Sequence, residues 1–247
     1  MNLTSKTEEV AIKFMSYNIH HGVGLDGELS LERIAQVMRD ANVEIIGVQE
    51  VDKFYGSRSN YKDQAKELST LLGYYYVYGA NLSLYPEGGH DKARQYGIAI
   101  LSKYPIIESE NIELSSYGNE PRGLLRTKID VGGILVSVFN THLGLDTSER
   151  LAQIKEITRV TSSFVRPRIL LGDFNAEPNS EEIKWLLHEG DFVDCFKEIE
   201  NAVTFPADNP NRRIDYILTS KSIKFSNQNM MHTQVTDHLP ITIKLYL

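Results

Sequence analysis

Residues Ile169 to Pro178 read I-L-L-G-D-F-N-A-E-P. An apolar run ends in a glycine, and Asp173, Phe174 and Asn175 follow. A buried strand of this kind delivers a carboxylate and a carboxamide to its own C-terminal edge, a pair that folding alone does not ask for. Phosphoester hydrolysis does ask for it. The carboxylate handles a proton or orients water, and the amide holds a phosphate oxygen. Four more polar clusters sit at similar strand ends: Tyr17-Asn18, Gln49-Glu50, Asn140-Thr141-His142 and Thr236-Asp237-His238. Gln49 and Glu50 follow the apolar run I-I-G-V. A carboxylate there suits a hard divalent cation, which prefers oxygen donors, and the amide oxygen of Asn18 can join it. Asp215 interrupts the apolar strand R-I-D-Y-I-L. A charge in that setting is costly unless paired, and a histidine held in one tautomer by the carboxylate is the natural partner.

These groups need elements to position them. Residues 11–18 read as a strand, followed by a Gly-rich turn over 22–27. A helix is expected near 31–40, with Leu31, Ile34, Ala35, Val37 and Met38 on one face. Residues 43–48 form the next strand, and a helix near 61–72 stops at Gly73. Residues 74–78 and 97–101 read as strands, and V-G-G joins strands over 122–130 and 134–140 as a hairpin. Asp146-x-x-Glu149 opens a helix running to about Phe164, and Asn179-x-x-Glu182 opens another over 183–188. Short strands close the chain at 214–219, 223–231 and 241–246. Trp185 and the Tyr74–Tyr76 cluster are assigned to the core. The pattern is too rich in hairpins for a purely parallel sheet, and two packed sheets covered by helices bury it most simply.

The chain has 247 residues, 41% hydrophobic content and a formal charge of −7. It reads as a single domain over 1–247, with 1–10 as a flexible N-terminus. An acidic balance argues against a grip on duplex DNA through many phosphates. The single cysteine, Cys195, allows no intrachain disulfide. With no apolar leader and no transmembrane stretch visible, a cytoplasmic, monomeric protein is expected.

Seven motifs in order then carry a resemblance over nearly the whole chain. They are Y-N-I near 17, Q-E-V-D near 49, Y-G-I-A-I-L-S-K-Y-P-I near 96, N-T-H-L near 140, G-D-F-N near 172, D-Y-I near 215 and T-D-H-L-P-I near 236. The sequence resembles the endonuclease/exonuclease/phosphatase superfamily, which includes DNase I-like nucleases. The resemblance implies a four-layer α/β/β/α sandwich of two mixed, mainly antiparallel sheets. It implies that Glu50, Asn18 and Asp237 serve Mg²⁺, with Mn²⁺ as a substitute. Asp173 then positions or deprotonates water or serves the leaving group, and Asn175 touches the scissile phosphate. His238, held by Asp215, acts as general base or as a phosphate contact. His142 contacts phosphate or protonates the leaving oxygen, and Arg122 grips phosphate oxygens or makes a surface salt bridge. Arg94, Gln95 and Tyr96 line the same mouth, and His20 and His21 are read as rim or structural residues.

Abasic-site endonucleases read W-N-V-N-G and Q-E-T-K where this chain has Y-N-I-H-H-G and Q-E-V-D. The chain looks most like bacterial metal-dependent hydrolases, and it is similar to the hydrolase-like domain of calcofluor-white-hypersensitive proteins. A lipid or small-molecule phosphodiester is the expected substrate. A DNA endonuclease or exonuclease of the abasic-site type is the alternative.

Overall fold

A computed structural model describes residues 9–247. The first half contains β1 (Ala11–Asn18), α1 (Leu31–Asp40), β2 (Ile45–Lys53), α2 (Gln64–Leu72), β3 (Tyr75–Leu84), β4 (Arg94–Ser102) and β5 (Ile106–Leu114). The second half contains β6 (Arg122–Val131), β7 (Ile134–His142), α3 (Thr147–Ser162), β8 (Arg168–Asp173) and α4 (Glu181–Glu189), then β9 (Phe192–Asp194), β10 (Asp215–Ser220), β11 (Lys224–Met230) and β12 (Ile241–Tyr246). None of the described helices is long and apolar enough to cross a membrane. Of the stretch 1–10 expected to be flexible, 1–8 lie outside the described residues. Val10 exchanges two backbone hydrogen bonds with Leu247, so the end of that stretch is tied to the sheet.

Two six-stranded sheets run in the orders β11-β12-β1-β2-β4-β3 and β5-β6-β7-β8-β10-β9. In each, one central pair is parallel, β1 with β2 and β7 with β8. The other neighbours are antiparallel. A parallel pair needs a crossover, and α1 and α3 supply the two. The same wiring therefore occurs twice, although no repeat is visible in the sequence. Its consequence is geometric. The C-terminal ends of β1, β2, β7 and β8 gather at one end of the sandwich.

Three apolar clusters make the layers. Phe14, Ile45, Ile100, Val138 and Leu171 pack between the sheets. Met15, Ile34, Met38, Val48 and Leu68 sit under α1 and α2. Phe139, Ile154, Ile157, Leu170 and Ile183 sit under α3 and α4. The result is the expected α/β/β/α sandwich. Each such side chain contributes roughly 1.5–3 kcal/mol on burial. Capping sets the helix starts. Ser30, Asp63, Asp146 and Ser180 each accept a backbone N–H from the first turn. α4 thus starts from Ser180, one residue beyond the expected Asn179.

Several expectations need correction. β5 and β9 were not visible in the sequence. β5 is an edge strand carrying Glu108, Glu110 and Glu113, and its charges mask the apolar alternation while guarding the edge. Trp185 is 39% exposed and Tyr75 55%, so neither is a core residue. Trp185 instead lies under the Lys155 ammonium, 4.9 Å from its ring centroid. Glu50 does not end its strand. β2 continues to Lys53, and its register with β4 shifts between Val48 and Val51. This bulge holds Glu50 at φ 56°, which re-aims its side chain out of the ladder.

The β3–β4 pair carries a stability prediction. A Cβ on Gly97 would sit 1.9 Å from the Gly79 carbonyl oxygen, a backbone atom that cannot swing away. Gly97→Ala is expected to lose at least about 1–3 kcal/mol through overpacking, read from the denaturant midpoint. An unchanged midpoint would show that the strands separate freely.

Candidate active site

Each polar cluster arrives at the gathered strand ends by its own element. β1 ends in Asn18, the β2 bulge presents Glu50, β7 ends in His142 and β8 ends in Asp173. Asp215 begins β10, and Asp237 and His238 lie just before β12. Gly172 lets β8 approach β7 just before the key carboxylate, since a Cβ there would meet the Thr141 carbonyl oxygen at 2.1 Å.

Not every clustered polar residue faces the cleft. Gln49 and Asn140 are fully buried, and the Gln49 amide donates to Asn140 Oδ1 at 2.7 Å. Asn140 Nδ2 in turn donates to the Val48 and Ala99 carbonyls at 2.9 and 2.8 Å. These two amides bolt the sheets together, while their neighbours Glu50 and His142 line the cleft.

Asp173 is the hub. Its Oδ2 accepts from Asn18 Nδ2 at 3.0 Å, and it lies 3.6 Å from His142 Nε2 and 3.7 Å from His238 Nε2. Its Oδ1 accepts the Asn175 backbone N–H at 2.9 Å. The Asn18 amide also donates to Glu50 Oε1 at 3.0 Å, while Asn18 Oδ1 accepts the His20 N–H at 3.0 Å. His238 Nδ1 sits 3.0 Å from Asp215 Oδ2. The Asn175 amide donates to the Leu143 carbonyl at 2.9 Å. Arg122, almost buried, pairs through Nη1 with Glu120 Oε1 at 2.9 Å, and its Nε has no hydrogen-bond partner.

Burial and mutual charge set the proton occupancies. For His238 burial pushes downward, but Asp215, Asp173 and Asp237 together lift the imidazole to about 10. It is therefore an imidazolium at neutral pH. For Asp173 burial, then the Asp215 charge, raise the carboxyl well above the usual range, against His238, the Asn175 N–H and Asn18. For His142 burial, then the charges of Arg122 and His238, hold the ring well below its ordinary value and keep it neutral.

These groups open onto a cleft of about 360 Å³, which Tyr96, Phe205 and Arg212 also line. Phe205 and Arg212 come from the long connection between β9 and β10, which carried no motif; the Phe205 ring centroid lies 4.7 Å from that of His238. Arg94, expected at the mouth, is held by Glu87 at 2.6 Å. The donor set fits a hard cation on one observation. Asp237 Oδ1 is buried without a hydrogen-bond partner, beside a cleft that also receives Glu50. A buried carboxylate oxygen left in this way costs free energy unless a ligand satisfies it.

Comparison with known proteins agrees with this architecture. The chain is 26% identical to the uncharacterised Escherichia coli protein YbhP over 260 positions, which cover 99% of this chain and 100% of that one. It is 29% identical to a Staphylococcus aureus phospholipase C over 163 positions, 55% of this chain and 49% of that protein. The crystal structure of an endonuclease/exonuclease/phosphatase from Beutenbergia cavernae superposes with a TM-score of 0.79 at 21% identity, over 96% of this chain and 72% of that one. The sequence profile of the endonuclease/exonuclease/phosphatase family matches residues 15–238. The chain belongs to the endonuclease/exonuclease/phosphatase family.

Proposed function

We propose that this protein hydrolyses a phosphodiester by in-line attack of water, with a divalent cation, Mg²⁺ or in its place Mn²⁺, held at Glu50. The observation that carries this reading is the placement of Asp173. A buried carboxylate with a raised proton affinity faces the cleft between two imidazoles in different protonation states. Such a group accepts a proton from attacking water near neutral pH. The His238 imidazolium, oriented by Asp215, offers a fixed positive charge to a non-bridging phosphate oxygen. His142, neutral, donates a hydrogen bond to phosphate, and the Asn175 side chain borders the same oxygens. Arg122 Nε, without a partner, points to the same role. Glu50 and Asp237 would hold the cation, and Asn18, whose amide oxygen keeps a second lone pair, orients Glu50 beside it. When bound, the cation neutralises phosphate charge and stabilises the leaving oxygen.

The charge distribution favours a lipid or small headgroup over duplex DNA. Tight duplex binding neutralises several phosphates, roughly 6–10 in strong cases. Few arginines are available to build such a channel. Arg94 pairs with Glu87 and Arg126 with Glu110 at 2.8 Å, and Arg122 is assigned to the scissile phosphate itself. The partial likeness to a phospholipase C supports the same choice.

The test compares bis-p-nitrophenyl phosphate, p-nitrophenyl phosphate, sphingomyelin vesicles and an abasic duplex in one Mg²⁺ buffer at about 150 mM salt. Diester turnover above monoester turnover, abolished by EDTA, is expected, with lipid turnover above abasic cleavage. Abasic cleavage at about 10⁴ M⁻¹s⁻¹ or more without lipid turnover would overturn the substrate assignment.

A further inference from the structure

After β1 the chain runs Asn18-Ile19-His20-His21-Gly22 and makes a single helical turn over His20–Gly22. Both histidines occupy the left-handed region, at φ 44° and 42°. Neither is a glycine or an asparagine, the residues that adopt this region at little cost. The conformation persists because the surroundings over-determine it. The His20 N–H donates to Asn18 Oδ1 at 3.0 Å. The buried amide of Gln64 donates to the His21 carbonyl at 2.6 Å. The Val23 N–H donates to the His20 carbonyl at 3.0 Å.

What this arrangement achieves is a convergence of side chains. The two imidazoles stand edge to face with centroids 4.5 Å apart. His20, His21 and Glu50 each offer one ligand atom, and these atoms lie within 4.8 Å of one another. Glu50 does so from its own left-handed position at φ 56°. Three residues in unfavoured backbone conformations therefore bring nitrogen, nitrogen and oxygen within 4.8 Å of one another. Packing does not explain it, because both histidines are only half-buried.

The hydrogen bonding around the His20 ring suits a metal-bound imidazole. His20 Nδ1 lies 3.3 Å from the Val23 carbonyl; in the tautomer that donates to it, Nε2 keeps the lone pair for a metal. A backbone carbonyl on the far ring nitrogen is the usual way to orient a ligating histidine. Asp237 Oδ1, 4.0 Å from the same Nδ1, adds negative charge nearby. The Arg58 guanidinium near His21 is neutralised by a bidentate pair with buried Asp52, at 2.9 and 2.7 Å.

We propose that His20, His21 and Glu50 form a site for a borderline transition-metal ion of the Zn²⁺ class, at the edge of the hydrolytic cleft. Two imidazoles and one carboxylate leave a coordination position open to solvent, as three-ligand zinc sites do. Mg²⁺ disfavours such a donor set because it prefers oxygen. The site shares Glu50 with the cation of the proposed hydrolysis, so the two ions compete for that carboxylate; its support is its own ligand geometry and not the phosphodiesterase reading.

The experiment needs no turnover. The full chain is stripped with EDTA, dialysed against Zn²⁺ and assayed for bound metal by mass spectrometry. Histidine ring nitrogens are followed by ¹H–¹⁵N NMR during the titration. One zinc per chain is expected, with the rings of His20 and His21 shifting together. His20→Asn and His21→Asn keep a residue that tolerates the left-handed region, and each should lower zinc affinity about tenfold or more. The NMR titration of the unaltered protein decides the matter even if a variant folds poorly. Zinc that shifts only other histidines, zinc affinity unchanged in both folded variants, or no zinc bound by the unaltered chain would each overturn the proposal.

Discussion

Replacing Asp173 with asparagine is expected to lower kcat about 10²- to 10⁴-fold, the range for loss of a positioned proton acceptor. The substitution keeps the side-chain shape, and the new amide oxygen can still accept from Asn18. What is lost is the capacity to take a proton at the centre of the cleft. Stability should move the other way. The Asp173 carboxylate is buried beside the Asp215 charge, and its raised proton affinity records the cost of ionising it there. Removing that charge should hold or raise Tm while activity collapses. His238→Ala should fall in the same range, because the His238 ring lies 3.7 Å from Asp173 and, in the proposed mechanism, contacts the same phosphate. The double variant should lose less than the product of the two single losses, as residues acting as one unit do. Single variants retaining activity within about threefold of the unaltered enzyme would remove both residues from the chemistry.

The second large effect is expected at Glu50. Glu50→Gln keeps the contact to Asn18 but removes the charge that would hold the cation. Mg²⁺ affinity should fall by more than the roughly 10–100-fold typical of an outer partner of a ligand, and turnover should fall with it. Calorimetric titration measures the first and initial rates the second. Asp215→Asn is the informative contrast. Asp215 is bonded to His238 Nδ1 at 3.0 Å, and none of its hydrogen bonds reaches Glu50. That variant should slow turnover and leave Mg²⁺ affinity nearly unchanged. An affinity loss as deep as that of Glu50→Gln would instead make Asp215 a direct ligand. Full activity in excess EDTA would end the metal reading altogether.

Local pattern made much of this protein legible. Apolar runs marked β1, β2, β7 and β8, and the polar residues at or after their ends were readable as chemistry. Asp146 marked the start of α3, and Gly132 and Gly133, at φ 62° and 97°, make the turn that V-G-G announced. These signals were available because periodicity, capping and turn preference act over a few residues. Ordered motifs along the chain extended them to a family.

Tertiary structure decided the rest, because its causes lie between residues far apart in the chain. Asn18 and Asp173 are 155 positions apart, and only the packing of the two sheets sets them 3.0 Å from each other. The same packing turned Gln49 and Asn140 into a buried clasp and left Glu50 and His142 facing the cleft. Sequence spacing could not tell these pairs apart, since direction at a strand end depends on register and on the β2 bulge. Nor could it assign protonation. His142 and His238 are both histidines near carboxylates, yet burial and then the Arg122 charge keep one neutral while three aspartates, against burial, charge the other. The left-handed backbone of His20 and His21 was not signalled by their residue types. It is imposed by Asn18, by Val23 and, across 43 positions, by Gln64.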